Sequence, residues 1–162
     1  MALGIGRMLG IVLPLNFNSP YKALNMKDFW SRWHMTLSRF FRDYLYIPLG
    51  GNRYGKTRTY MNFVIVMIFV GLWHGSAWTF VLWGVMHGVL LLIYHVWAAT
   101  KQKYGLLNKV SSTLFFKGFA LILTFFCVNL LWVVFRAESI ETAIVMYKGL
   151  FLLNGVVIPD TY

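Results

Sequence analysis

Residues 59–100 read TYMNFVIVMIFVGLWHGSAWTFVLWGVMHGVLLLIYHVWAAT, and no formally charged side chain interrupts them. One bilayer crossing by an α-helix needs about 20 mainly apolar residues. The 42 residues between Arg58 and Lys101 therefore amount to two such lengths. Residues 60–100 are expected to form two spans, or a broken or re-entrant segment followed by one span. The glycine-bounded stretch Gly71-Leu72-Trp73-His74-Gly75-Ser76, or the residues just after it, is where the chain is expected to turn. Gly84 and Gly88, four apart, give the second segment a small face for close helix packing.

The rest of the chain fits the same class. Of 162 residues, 59% are hydrophobic and 12% charged, about half the charged share of a soluble domain. That excludes a soluble enzyme, a disordered chain and a disulfide scaffold, the last because Cys127 is the single cysteine. The formal charge of +10 would suggest nucleic acid in a soluble protein. Here eight basic residues lie between Lys22 and Arg58 and four between Lys101 and Lys117. That clustering at the flanks of apolar segments points to a lipid bilayer with both flanks on the cytoplasmic side, and to no nucleic acid.

Lys117 and Arg136 bound a further expected span, 118–135, and a partial apolar segment is expected over 144–158. Residues 1–15 are apolar but too short to cross. Gly6 and Gly10 there repeat the small-residue spacing. Pro14 interrupts the run and no small-residue cleavage site follows, so a signal peptide is not the expected reading.

Residues 21–58 form a basic, amphipathic region. Asn25 reads as an N-cap, with Asp28 in the position of a capping-box acid. A helix of about twenty residues is predicted from there to Pro48-Leu49-Gly50-Gly51. Trp30, His34, Leu37, Phe41 and Leu45 share one side. Asp28, Arg32, Arg39, Arg42 and Asp43 share the other, with Asp28/Arg32 and Arg39/Asp43 spaced for ion pairs. Such a helix is expected to lie in the membrane interface or to re-enter it.

Histidine is the side chain from which chemistry is expected. An ionisable residue at membrane depth is costly and faces the protein interior. His74, between Trp73 and Gly75, is the best placed of the four. A neutral imidazole there can accept a proton from a hydroxyl, although a structural hydrogen bond in a helix bundle would also account for it. His34 lies on the apolar side of the amphipathic helix, where interfacial anchoring competes with function. His87, one turn after Trp83, suits a helix–helix hydrogen bond, and His95 suits the interface. Arg32, Arg39 and Arg42 could attract a phosphate-bearing donor, or simply anchor the chain. No Walker loop, dinucleotide fingerprint, paired CxxC or HExxH is present, and no metal site is expected.

Several long stretches resemble the membrane-bound O-acyltransferase (MBOAT) family. They are Phe29-Trp30-Ser31-Arg32-Trp33-His34-Met35-Thr36-Leu37-Ser38 and Phe41-Arg42-Asp43-Tyr44-Leu45-Tyr46-Ile47-Pro48-Leu49-Gly50-Gly51-Asn52-Arg53, followed by Gly71 to Phe80, Trp83 to Gly88 and Val134 to Ser139. The run Tyr46-Ile47-Pro48-Leu49-Gly50-Gly51-Asn52-Arg53 is closer to the alginate O-acetyltransferase type than to the teichoic-acid D-alanylation type. The resemblance implies an all-α, multi-spanning transmembrane helical bundle in the inner membrane. The 162 residues would form a partial family domain, because family members are considerably longer.

The implied activity moves an acetyl group from a cytoplasmic thioester, such as acetyl-coenzyme A or an acyl carrier, for O-acetylation of an exopolysaccharide such as alginate. No bound cofactor is implied. A periplasmic acetyltransferase and polysaccharide machinery are the implied partners. His74 would be the catalytic general base and His34 a second candidate nearer the cytoplasmic side. Trp73, Gly75, Trp78, Trp33 and His87 would line the passage, and Arg32, Arg39 and Arg42 would face the donor. Two rivals stand beside this reading: a non-catalytic membrane scaffold, and a transporter subunit relaying protons through His74 and His87. The relay lacks a carboxylate, since no acidic residue lies between Asp43 and Glu138.

Overall fold

In the computed structural model, which describes residues 2–153, every regular element is helical. Helix α1 (Ala2–Met8) precedes a 3₁₀ turn at Pro20–Lys22, then come α2 (Met26–Arg32), α3 (Met35–Phe41) and a π-type turn at Arg42–Tyr46. Helices α4 (Gly55–His74), α5 (Trp78–Lys103), α6 (Gly105–Ser111), α7 (Leu114–Arg136) and α8 (Ile140–Leu150) follow. Of the described helices, α5 and α7 are long and apolar enough to cross a bilayer. The expected span over 118–135 falls within α7.

Within residues 60–100, α5 passes on both counts. Helix α4 has 20 residues, but Lys56, Arg58 and Asn62 occupy its first turns. Only its later part is apolar. Gly75, at φ 155°, ends α4, within the stretch where the turn is expected. Of the expected segment 144–158, residues 144–150 lie in α8, and 154–158 lie outside the described residues.

Helices α4 and α5 form the most extensive pairing in the fold. The glycines make it possible. A Cβ on Gly84 would collide with the Met67 carbonyl, and one on Gly71 with the Phe80 carbonyl. On Gly88 it would lie 2.9 Å from the Val64 Cα. Gly6 and Gly10 make no comparable face, because α1 ends at Met8 and Gly10 has φ 73°.

The largest difference from the expected pattern lies in residues 25–46. Asn25 does cap α2, its side chain accepting from the Asp28 N–H at 2.9 Å. The single amphipathic helix, however, is broken at Trp33 and His34. His34 adopts left-handed backbone geometry at φ 46°, which costs a non-glycine residue about 1–2 kcal/mol. Helix α2 runs inward along α5 and α3 returns. Trp30 Nε1–H donates to His87 Nδ1 at 3.3 Å. On the return, Tyr46 stacks on Phe63 at 5.3 Å, and Phe63 on His95 at 4.5 Å. The result is a helical hairpin with Trp33 and His34 at its tip.

The altered register also changes the ion pairs. Arg32 holds Asp28 at 2.7 Å as expected, but Asp43 pairs with its neighbour Arg42 at 2.7 Å instead of with Arg39.

Asn62, fully buried, ties the returning loop to α4. Its Nδ2 donates to the Gly51 carbonyl at 2.8 Å and the Leu49 carbonyl at 3.4 Å. Asn62→Ala leaves these carbonyls without that donor and is expected to destabilise the fold by about 1–3 kcal/mol. A lowered unfolding midpoint of the purified protein in detergent is the readout.

Candidate functional site

Where α4 ends, Gly75 releases the backbone and leaves His74 facing a wall of rings. The His74 ring lies 4.9 Å from Trp73, 5.4 Å from Trp83, 4.9 Å from Phe135 and 6.2 Å from Phe80. Along α5, Trp83 is about 27 Å from Lys101, and along α7 Phe135 is about 27 Å from Lys117, at about 1.5 Å per residue. His74 is therefore remote from Lys101 and Lys117, at the end of α7 that carries Arg136. No hydrogen bond engages its ring nitrogens among the described residues, so they remain able to meet a ligand.

The hairpin tip arrives at the same level. His34 lies 5.9 Å from Trp73, edge to face, and 5.6 Å from Phe17. Trp73 is thus shared by both histidines. The break between α2 and α3 places His34 beside this ring. Its Nδ1 is buried with no hydrogen-bond partner.

The left-handed turn at His34 is held from outside the hairpin. Helix α3 has no side-chain cap from His34 itself. Asn16 supplies one: its carbonyl accepts from the Met35 N–H at 2.9 Å. Its Oδ1 accepts from the Thr36 N–H at 3.0 Å and the Thr36 hydroxyl at 2.6 Å. Asn18 N–H donates to the Arg32 carbonyl at 2.9 Å on the other side of the break. The first donors of α3, which need an acceptor, are satisfied without using the imidazole. The His34 ring is left to face Trp73.

Because only an acceptor oxygen is needed at Asn16, Asn16→Asp is expected to keep the tip and its function. Asn16→Ala should lose both side-chain bonds, at about 1 kcal/mol for a helix cap. Comparing the thermal midpoints of the two variants checks this.

The other expected site residues fall into two groups. Trp33 packs against Phe29 at 5.7 Å, Phe17 at 4.9 Å and Trp132 at 5.1 Å, so it walls the tip. The Cβ absent at Gly75 would meet the Phe80 ring at 2.7 Å. His87 is fully buried, with Trp83 at 4.5 Å and Trp30 as its donor. It connects α2 to α5. Trp78 opens α5, is 75% exposed and makes no ring contact with His74 among the described residues. Arg32 and Arg42 are paired with Asp28 and Asp43, whereas Arg39 is exposed and forms no ion pair among the described residues. Hydrogen bonding from Arg42 holds the Asp43 carboxyl below the usual carboxylate range.

Sequence reasoning missed Asn16, Trp83, Phe135 and Trp132 as parts of this site. Asn16 carries no local signal, since its partners are twenty residues away. Among the described residues, no three His, Cys, Asp or Glu side chains group as a metal site requires.

The described MBOAT, membrane-bound O-acyltransferase family profile matches residues 1–135. A peptidoglycan O-acetyltransferase of Helicobacter pylori is 48% identical over 157 residues, covering 96% of this chain and 28% of that protein. A probable alginate O-acetylase of Azotobacter vinelandii is 38% identical over 160 residues, covering 99% of this chain and 30% of that protein. A teichoic acid D-alanyltransferase of Streptococcus thermophilus is 33% identical over 147 residues, covering 83% of this chain and 35% of that protein. The chain therefore spans about a third or less of the length of these relatives.

Proposed function

Since the chain belongs to the membrane-bound O-acyltransferase family, we propose that it contributes the histidine pair of a membrane O-acetyltransferase acting on a cell-envelope or secreted polysaccharide. The observation that carries this reading is the meeting of His34 and His74 on one ring, Trp73. Relatives named for alginate and for peptidoglycan O-acetylation support a glycan hydroxyl as acceptor. Alginate is one member of that class.

In the proposed reaction, His74 accepts the proton of the acceptor hydroxyl as its oxygen attacks the thioester carbonyl. The tetrahedral intermediate collapses, the carbon–sulfur bond breaks, and the thiolate leaves with the proton carried by His74. General base catalysis of this kind contributes about 10²–10⁴-fold. His34 polarises or holds the acyl group from the facing side. Trp73, Trp33 and the aromatic wall keep water out. The donor is a cytoplasmic thioester such as acetyl-coenzyme A or an acyl carrier, with Arg39 free to meet its phosphate. With the basic flanks cytoplasmic, the protein is proposed to be a multi-pass inner-membrane protein handing acetyl groups to a periplasmic acetyltransferase partner.

The test is transfer of label from acetyl-coenzyme A in membranes holding this chain, with and without a co-expressed N-terminal portion of the Helicobacter pylori relative. Transfer that requires that portion and vanishes in His74→Ala supports the proposal. Transfer retained in His74→Ala contradicts the general-base role.

A further inference from the structure

A groove of about 550 Å³ runs between α5 and α7, with Leu24, Asn25 and Met26 at the start of α2 as a third wall, away from both histidines of the site. Leu90, Trp97, Phe116 and Leu123 are among its apolar walls, and Lys101 and Lys117 line it as its basic residues. No acidic residue lines it. Helices α5 and α7 are joined through α6, so the C-terminal end of α5 and the N-terminal end of α7 lie on one side. Trp97 stacks on Phe116 at 6.1 Å just beneath the two lysines. From Lys101 to Leu90 is about 16 Å along α5, and from Lys117 to Cys127 about 15 Å along α7. That is half of a hydrocarbon core about 30 Å thick. The groove therefore has the depth of one leaflet, with positive charge at its headgroup end.

We propose that this groove binds one anionic phospholipid, its acyl chain along Leu90 and Leu123 and its phosphate between Lys101 and Lys117. Charge complementarity selects this occupant. A neutral lipid satisfies the apolar walls but leaves the lysines facing only a zwitterion, and an apolar protein helix leaves them facing none. Free phosphate meets the lysines but leaves the apolar walls uncovered. A lipid held here would fasten α5 to α7 at the end opposite the histidines. The inference does not depend on the proposed acyl transfer, since it uses none of the residues of that site.

The experiment places the protein in phosphatidylcholine nanodiscs carrying a few mole per cent of brominated phosphatidylglycerol or brominated phosphatidylcholine, and follows quenching of tryptophan fluorescence. Brominated phosphatidylglycerol is expected to quench severalfold more at low mole fraction than brominated phosphatidylcholine. The extra quenching should disappear in Trp97→Phe, which removes the reporter, and in Lys101→Gln/Lys117→Gln, which removes the charge. It should also disappear in Ala120→Phe, which fills the groove while keeping both lysines. Inorganic phosphate should not compete. Equal quenching by the two lipids would overturn the proposal, as would a phosphatidylglycerol preference that survives in Ala120→Phe. Quenching absent with both lipids, the result if a protein segment or a second copy covers the groove, would overturn it as well.

Discussion

Replacing His74 with alanine is expected to lower acyl transfer by about 10²–10⁴-fold, the range that a positioned general base contributes. The folded protein should be recovered in undiminished amount. The fold is spared because His74 is the last residue of α4 and no hydrogen bond to its ring nitrogens holds another element. Its contacts are to the faces and edges of Trp73, Trp83, Phe80 and Phe135, and those four rings also touch one another or neighbouring elements. Alanine leaves them in place. His74→Gln keeps a polar group of similar size but cannot cycle a proton, so it should be as inactive as alanine. Labelled acetyl transfer per folded molecule is the readout.

The second large effect is on stability. Gly84→Leu should prevent α4 and α5 from packing, because even a Cβ at this position runs into the Met67 carbonyl. Overpacking of a core costs about 1–3 kcal/mol when side chains can yield. Here the obstacle is backbone, so the cost should reach or exceed the top of that range. Little monodisperse protein is expected on size exclusion in detergent. Gly118→Leu is the control: a Cβ there meets nothing within 4 Å, and the substitution should be tolerated in α7. If both variants behaved alike, close approach of α4 and α5 at Gly84 would not be what holds the pair together.

How much of this was readable from the chain depends on whether a signal is local. The run ending in Phe135 has the length and apolarity of a crossing, and α7 covers it. The turn at Gly75 is legible because Gly71 and Gly75 bracket Leu72-Trp73-His74, with Ser76 next, in an apolar stretch. Close packing at Gly84 and Gly88 follows from their spacing. The break at His34 is not legible, since the apolar series Trp30, His34, Leu37, Phe41 and Leu45 runs through it at helical period. What breaks the helix is the loop at Asn16 and Asn18, which captures the donors and carbonyl on either side of His34. That is a tertiary contact without a sequence period. The same is true of Trp83 and Phe135: each reads as an ordinary aromatic on an apolar helix until α4, α5 and α7 meet at His74. The pairing of Asp43 with its neighbour Arg42 is likewise not announced by helical spacing, which favours Arg39.

The account rests on His34 and His74 acting on one reacting group, and a double-mutant cycle tests it most directly. Label transfer would be measured for the unaltered protein, His34→Ala, His74→Ala and the double variant, each corrected for folded protein. Groups that act as a unit in one transition state give strongly non-additive losses. The double variant is therefore predicted to be no less active than His74→Ala alone. Losses that multiply, with the double variant falling by the product of the two single effects, would mean that the histidines work independently and that their meeting at Trp73 is not a shared site.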